Sequence, residues 1–253
     1  MTETGDATVT TAVTGARILQ WAGCFNVRDL GPLDLAGGRV LRAGAIVRSD
    51  SLERLTSDDG WDRLAAYGIT TAIDLRNAGE IDVRRLQLPE GVTRAHLPLD
   101  AIEDRAFWDY WRCDLRFGTP RYYGPHLQRF PSRSASVLRV IADAPPGGVL
   151  IYCGLGRDRT GLIVILLLAL LGATPEAIAD DYLLSAECLR PFWQQHGLPD
   201  QDRAIAVKVQ REGTTLRQLV YGCLASIDLH ALLRVGGLSD ADLDRLRSRL
   251  LAP

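Results

Sequence analysis

The sequence has few of the features that would assign a chain to a specialised class. Its five cysteines are odd in number and form no C-x-x-C pair, which argues against a zinc site and a disulfide framework. The formal net charge is only −2, so no strong overall field attracts nucleic acid. The longest apolar run, Leu162 to Leu171, is too short to cross a membrane and predicts a buried helix instead.

A secretory signal is also missing from the first residues. The stretch from Met1 to about Gly15 is rich in Thr, Ala and Gly and has neither a basic start nor an apolar core. We therefore expect a disordered tail over residues 1–16 and a single domain over residues 17–253. With the cysteine pattern, this predicts a cytoplasmic protein, export without a signal peptide being the alternative. No sequence feature indicates an oligomeric state.

What the sequence does contain is an ordinary globular composition, 47% hydrophobic and 24% charged. Strand patterns lie twice within residues 39–48 and again at 69–75, 92–99 and 149–152. The last of these is wholly apolar, which is typical of the middle of a parallel sheet. Helical patterns alternate with the strands and fill the C-terminal half. The sequence therefore predicts an α/β fold with a central, mostly parallel sheet flanked by helices.

The most informative segment is residues 152–161, which read Y-C-G-L-G-R-D-R-T-G. It lies between the apolar strand at 149–152 and the apolar helix at 162–171. A strand, a glycine-rich loop and a helix in this order direct backbone N–H groups at an anion. We therefore expect an anion-binding loop that contains a cysteine.

The residue types in this loop suit chemistry on a phosphoryl group. A helix N-terminus and nearby guanidinium groups favour the thiolate form of a cysteine such as Cys153. Gly154 and Gly156 let the backbone turn tightly, and Arg159 can offer a bidentate fork to two phosphoryl oxygens. The Thr160 hydroxyl lies where it could donate to the sulfur. The alternative interpretation is that Cys153 is an ordinary core cysteine.

This segment resembles the H-C-x-x-G-x-x-R-[ST] signature of the protein-tyrosine and dual-specificity phosphatases. G-R-D-R is similar to the G-K-D-R loop of a bacterial branch whose members act on phosphotyrosine, phosphoserine/threonine and phosphoinositides. Further matches to that branch extend the resemblance over roughly residues 20–252. They are N-V-R-D-L-G at 26–31, R-S-x-x-L at 48–52, D-L-R-x-x-x-E at 74–80, A-D-D-Y-L at 179–183 and G-L-S at 237–239.

The resemblance implies the fold of that family and a cysteine-dependent phosphomonoester hydrolase that needs no metal or other cofactor. Cys153 would form a phosphocysteine, and Arg159 with the loop N–H groups would stabilise the equatorial oxygens. The implied phosphate-binding residues are Gly154, Leu155, Gly156, Arg157, Asp158, Arg159 and Thr160. Substrates would be phosphorylated proteins or, alternatively, phosphoinositides and inositol phosphates.

Two residues depart from the family pattern. Tyr152 replaces the histidine that usually precedes the nucleophile and helps to orient the loop. Arg157 replaces lysine and keeps the positive charge. Neither change removes a reacting group.

Two aspartates compete for the role of general acid. Asp158 matches the aspartate of G-K-D-R, whereas Asp100 follows a predicted strand where related phosphatases carry an acid on a movable loop. Arginines beside Asp158 favour its ionised form and argue for Asp100, but the loop motif argues for Asp158. We favour Asp158 and keep Asp100 as the alternative.

Other segments carry two interpretations each. Residues 101–135 interleave aromatic residues and arginines, and they form either a lid over the site or helices packed on the core. Asp74 and Arg76 are expected to brace the sheet edge, and Asn26 with Arg28 and Asp29 to form a turn network. Two rival functions remain: a rhodanese-like sulfurtransferase, and a non-catalytic module that binds phosphorylated ligands.

Overall fold

The computed structural model describes residues 17–56, 59–113 and 116–253. The tail predicted to be disordered, residues 1–16, lies outside the described residues.

A five-stranded sheet forms the centre of the fold, and a separate two-stranded hairpin accompanies it. In chain order the described strands are β1 (Arg28–Asp29), β2 (Leu33–Leu35), β3 (Arg39–Leu41), β4 (Ile46–Ser49), β5 (Ile69–Asp74), β6 (Thr93–His96) and β7 (Gly148–Tyr152). The strand order in the central sheet is β1-β4-β7-β5-β6. β1 pairs antiparallel with β4, and the other neighbours are parallel. β2 and β3 form the antiparallel hairpin.

The predicted central strand is confirmed, because β7 lies in the middle of the sheet and all five of its residues are buried. The strand predicted over 92–99 is shorter, and β6 ends at His96. Pro98 follows and has no N–H to donate to a ladder. The chain nevertheless keeps close to β5, because the Leu97 and Leu99 amides donate to Asp74 and Leu75.

Helices flank both faces of the sheet and make up the chain after β7. No described helix combines the length and apolar character needed to cross a membrane. In chain order the helices are α1 (Asp59–Ala66), α2 (Arg105–Arg112), α3 (Tyr123–Arg129), α4 (Pro131–Asp143), α5 (Asp158–Leu171), α6 (Pro175–Gln195), α7 (Gln201–Arg211), α8 (Leu216–Ala225), α9 (Leu229–Val235) and α10 (Asp240–Leu250).

Alternation along β7 decides which side of the sheet each site residue faces. Ile151 and Cys153 belong to the larger apolar cluster, which also contains most of α5. Leu150 and Tyr152 belong to the smaller cluster on the opposite face, together with Trp21 and residues of α1. Because side chains alternate along a strand, the nucleophile candidate and its preceding tyrosine point to opposite faces.

Candidate active site

The loop of residues 153–159 joins the end of β7 to the start of α5, as the sequence predicts. α5 begins at Asp158, four residues before the apolar run at 162–171, so its first free N–H groups belong to the loop itself. Gly156 has a φ of 66°, and a Cβ added there would lie 2.4 Å from the Ser49 carbonyl oxygen. The tight turn against β4 therefore requires glycine at this position.

Donors outside the loop bind three successive carbonyl oxygens of the loop. Those donors are Ser51 N (3.2 Å) and Arg54 Nη1 (2.5 Å) to Gly154, Asn26 Nδ2 (2.9 Å) to Leu155, and Arg48 Nη2 (2.5 Å) to Gly156. In a trans peptide the N–H points opposite to the preceding C=O. The outward carbonyls therefore turn the next three N–H groups towards the inside of the loop, where they can bind an anion.

A buried ion cluster holds the arginine that binds Gly156. Asp181 of α6 accepts from Arg28 Nε at 2.8 Å and from Arg48 Nη1 at 2.5 Å. Burial would raise the pKa of Asp181, but Arg28 and Arg48 together hold this pKa well below its usual range. Arg28 was predicted to belong to a local turn network with Asn26, and its Nη1 does donate to Asn26 Oδ1 at 2.5 Å. Its second partner, Asp181, lies far away in the sequence and was not predicted.

The loop forms the floor of a cavity of about 360 Å³ that Cys153 lines, although the side chain is only 2% exposed. The apolar walls come from Leu155 of the loop and from more distant segments. The apolar residues from those segments are Phe117, Ala204 and Ile205. The polar residues that line the cavity include Glu80, Asp158 and Gln201. A group of aromatic size can therefore lie against apolar side chains while its anionic end meets the loop.

Arg159 folds back over the loop, as its position in the motif suggests. Its Nη2 lies 3.8 Å from the point where a Cβ on Gly154 would sit. Its Nη1 donates to Glu80 Oε2 at 2.5 Å and its Nη2 donates to Glu80 Oε1 at 2.7 Å. Asp100 Oδ2 lies 3.4 Å from the same Nη1. Burial alone would lower the pKa of Arg159, but Glu80, Cys153 and Asp100 raise it above its ordinary value. The guanidinium therefore stays charged and is fixed in place next to the loop.

Arg157 has a different environment. It donates to Asp158 at 3.2 Å and to Asp202 of α7 at 2.5 Å, and Trp193 Nε1 donates to the other oxygen of Asp202 at 2.7 Å. Two carboxylates thus share the charge of Arg157. This arrangement ties α7 and the end of α6 to the loop.

The two acid candidates lie in unlike surroundings. Asp158 lines the cavity; Arg157 binds its Oδ2, while its buried Oδ1 has no partner among the described residues. Asp100 is buried behind Arg159 and is not part of the cavity wall. Burial raises the pKa of Asp100, and the charge of Arg159 offsets this only in part.

The sheet edge beside the loop carries the predicted brace. Asp74 Oδ1 accepts from Arg76 Nε at 2.9 Å, and Asp74 Oδ2 accepts from Arg76 Nη2 at 2.8 Å. Tyr152, which occupies the family's histidine position, donates its hydroxyl to the same Oδ2 at 2.9 Å. Arg94 adds a further contact at 2.9 Å.

Most of the aromatic residues in 101–135 pack on the core. Trp108 is 2% exposed and donates its Nε1 to the Ala101 carbonyl oxygen at 3.0 Å. Of the described residues in this stretch, which leave out 114 and 115, only Phe117 and Gly118 line the cavity. A lid movement of this segment stays a prediction.

Sequence reasoning missed Asp202 and Ile205 as neighbours of the loop. They lie on α7, more than 40 residues after Arg157, and no motif marks them. Glu80 was visible as the last residue of D-L-R-x-x-x-E, but its contact with Arg159 required the fold.

A family model described as "Tyrosine phosphatase family" matches residues 19–252. The chain belongs to the tyrosine phosphatase family. This confirms the predicted resemblance and the predicted enzyme class, a hydrolase of the tyrosine-phosphatase type. It also favours phosphatase chemistry over that of a sulfurtransferase.

Two individual relatives carry phosphatase names, and one solved structure is also similar. A protein of Cupriavidus necator named as a tyrosine-protein phosphatase is 31% identical over 69% of this chain, and the match spans 65% of that protein. The triple specificity protein phosphatase PtpB of Mycobacterium tuberculosis is 26% identical over 90% of this chain and 97% of its own length. The crystal structure of P. aeruginosa TpbA is similar with a TM-score of 0.43 and 16% identity, covering 85% of this chain and 97% of that chain.

Proposed function

We propose that this phosphatase hydrolyses phosphotyrosine-like monoesters through a phosphocysteine formed on Cys153. The observation that carries the proposal is the inward N–H row of the loop, with Cys153 at its start and the charged Arg159 guanidinium beside it. The Cys153 sulfur attacks phosphorus while the bond to the leaving oxygen breaks. Loop N–H groups and Arg159 take up the negative charge on the three equatorial oxygens.

Asp158 is the general acid in this proposal. Its free Oδ1 and its place in the cavity wall suit proton donation to the leaving oxygen, whereas Asp100 lies behind Arg159. In the second step a water molecule attacks phosphorus, returns its proton to Asp158, and releases phosphate from the regenerated thiolate. Thr160 Oγ1, buried without a partner among the described residues, supports a role in stabilising that thiolate.

The nucleophile can be tested by rapid quenching of the enzyme with a ³²P-labelled aryl phosphate. We expect the wild type to carry label that survives an alkaline denaturing quench and is lost in acid, as for a P–S bond. Cys153→Ser should carry no such label and should be inactive. Cys223→Ser is the matched control, since burial raises the pKa of the Cys223 thiol to about 12 and this residue lies outside the cavity. A labelled or active Cys153→Ser would refute the phosphocysteine, and an unlabelled, inactive wild type would favour the non-catalytic binding module.

The acid can be tested with two aryl phosphates whose leaving groups differ in basicity. Asp158→Asn should reduce hydrolysis of phenyl phosphate by about 100-fold or more, and that of p-nitrophenyl phosphate far less, because the better leaving group needs no proton. Asp100→Asn should affect both substrates alike. The reverse pattern would assign the acid to Asp100.

The same cavity favours a single aromatic phosphate over inositol phosphates. Its walls are largely apolar, and Arg157 already shares its charge with Asp158 and Asp202. The Arg157 guanidinium, already paired with these two carboxylates, would therefore bind a second phosphate group of the substrate only weakly. We expect higher kcat/KM on phosphotyrosine peptides than on inositol phosphates, and Asp202→Asn should narrow this difference by freeing Arg157. Equal kcat/KM values of the wild type on the two substrate classes would contradict the preference.

A cytoplasmic location remains part of the proposal.

A further inference from the structure

The residue before the nucleophile makes contacts on the side of the sheet away from the cavity. Tyr152 packs in the smaller apolar cluster, and its hydroxyl donates to Asp74 Oδ2 at 2.9 Å. The Arg76 guanidinium carbon lies 5.3 Å from the centre of the Tyr152 ring. One side chain thus contacts both members of the brace at the end of β5.

The brace leads back to the loop through Ser51. Arg76 Nη1 donates to Ser51 Oγ at 3.0 Å, and the Ser51 amide donates to the Gly154 carbonyl oxygen at 3.2 Å. Asp74 fixes the Arg76 side chain by two parallel hydrogen bonds through Nε and Nη2, and Nη1 is shared between Ser51 Oγ and Glu53 Oε1, the latter at 3.1 Å. A continuous series of hydrogen bonds therefore joins Tyr152 to the first outward carbonyl of the loop.

We propose that Tyr152 is a positioning residue for the phosphatase reaction. Through Asp74, Arg76 and Ser51 it fixes the plane of the peptide after Gly154, and thereby aims the following N–H at the reacting phosphoryl group. The inference rests on the proposed role of Cys153 as the nucleophile. It explains how a tyrosine can occupy the histidine position, because the phenol orients the loop from the other face of the sheet.

The geometry also limits the size of the effect. Gly154 O keeps a second donor, Arg54 Nη1 at 2.5 Å, and Asp74 keeps its bonds to Arg76 and Arg94 without the phenol. Tyr152→Phe should therefore fold and retain a formed loop, with a less well-fixed Gly154 peptide. A loosened outer contact of this kind costs about tenfold in rate.

The test compares Tyr152→Phe with Tyr67→Phe. Tyr67 donates its hydroxyl to a carboxylate in the same way, Asp29 Oδ2 at 2.6 Å, and packs against the same cluster, but no described hydrogen bond of Tyr67 or Asp29 leads to the loop. For Tyr152→Phe we expect kcat to fall about tenfold with KM changed less than about twofold, because the lost hydrogen bond positions a group that acts in the transition state. For Tyr67→Phe we expect wild-type kcat and KM.

A double variant separates positioning from general destabilisation. Ser51→Ala removes the Oγ that accepts from Arg76 but keeps the amide bond to Gly154, so the series is already broken before the loop. Adding Tyr152→Phe to Ser51→Ala should therefore lower kcat by less than about twofold more. The proposal would be overturned if the kcat losses of Ser51→Ala and Tyr152→Phe multiplied in the double variant. It would also be overturned if Tyr152→Phe had the same kcat and KM as Tyr67→Phe. Activity of Cys153→Ser, measured alongside, decides the proposed function independently: an inactive Cys153→Ser with a neutral Tyr152→Phe refutes the positioning role alone.

Discussion

Replacement of Asp181 by asparagine should destabilise the fold more than any other removal of a single charge near the loop. The Asp181 carboxylate is 1% exposed and is in contact with Arg28 and Arg48, both 0% exposed, while Arg17 lies 3.9 Å away. Asparagine keeps the shape but removes the counter-charge from these buried guanidinium groups. Breaking a buried pair in this way costs about 3–5 kcal/mol, a large part of the 5–15 kcal/mol by which a domain is usually stable.

The neighbouring residue offers a matched control. Asp180 pairs with Arg217 at 2.6 Å, but these side chains are 37% and 40% exposed, so Asp180→Asn should cost less than about 1 kcal/mol. Urea unfolding followed by fluorescence measures both variants. Asp181→Asn should also loosen Arg48, which binds the Gly156 carbonyl oxygen, and so lower kcat. An Asp181→Asn variant as stable as Asp180→Asn would refute the reasoning.

Two further predictions concern the loop glycine and pH. Gly156→Ala should lose about 1–3 kcal/mol of stability from backbone strain alone, and it should also lose most of its activity. Gly154→Ala, whose added Cβ meets nothing closer than 3.8 Å, should unfold near the wild-type urea midpoint. Equal urea midpoints for the two variants would contradict this prediction. Burial lowers the pKa of His126 to about 4, so the unfolded chain binds a proton first, and stability should fall by up to about 3 kcal/mol as pH drops from about 6.5 to 4. The unfolding temperature of His126→Gln should change less between about pH 6.5 and 4 than that of the wild type. The same pH dependence in both proteins would exclude His126 as the cause of the loss of stability.

Local patterns were enough to find the elements that carry the chemistry. The apolar run at 149–152, the glycine-rich loop and the apolar helix predicted β7, the cysteine loop and α5, because each follows from chain-local hydrophobicity and backbone freedom. The end of β6 was placed too late because hydrophobicity continues through Leu97 and Leu99, where a proline already interrupts the ladder.

The surroundings of the loop could not be obtained in this way. Asp202 reaches Arg157, and Glu80 reaches Arg159, only because α7 and the segment after β5 approach the same end of the sheet. The carboxylate partners decide how much of each arginine's charge remains for a substrate, and no spacing in the chain encodes such pairings.

The sequence by itself determined the family, the mostly parallel sheet and the loop that holds Cys153 and Arg159, since these depend on residues close together in the chain. Only the tertiary structure decided which donors hold the loop carbonyls outward, which carboxylates occupy the arginines and what Tyr152 contacts. The physical reason is that hydrogen bonds and ion pairs act over a few ångströms in space, and folding brings together groups far apart in the chain, such as Arg28 and Asp181, which are separated by 153 positions.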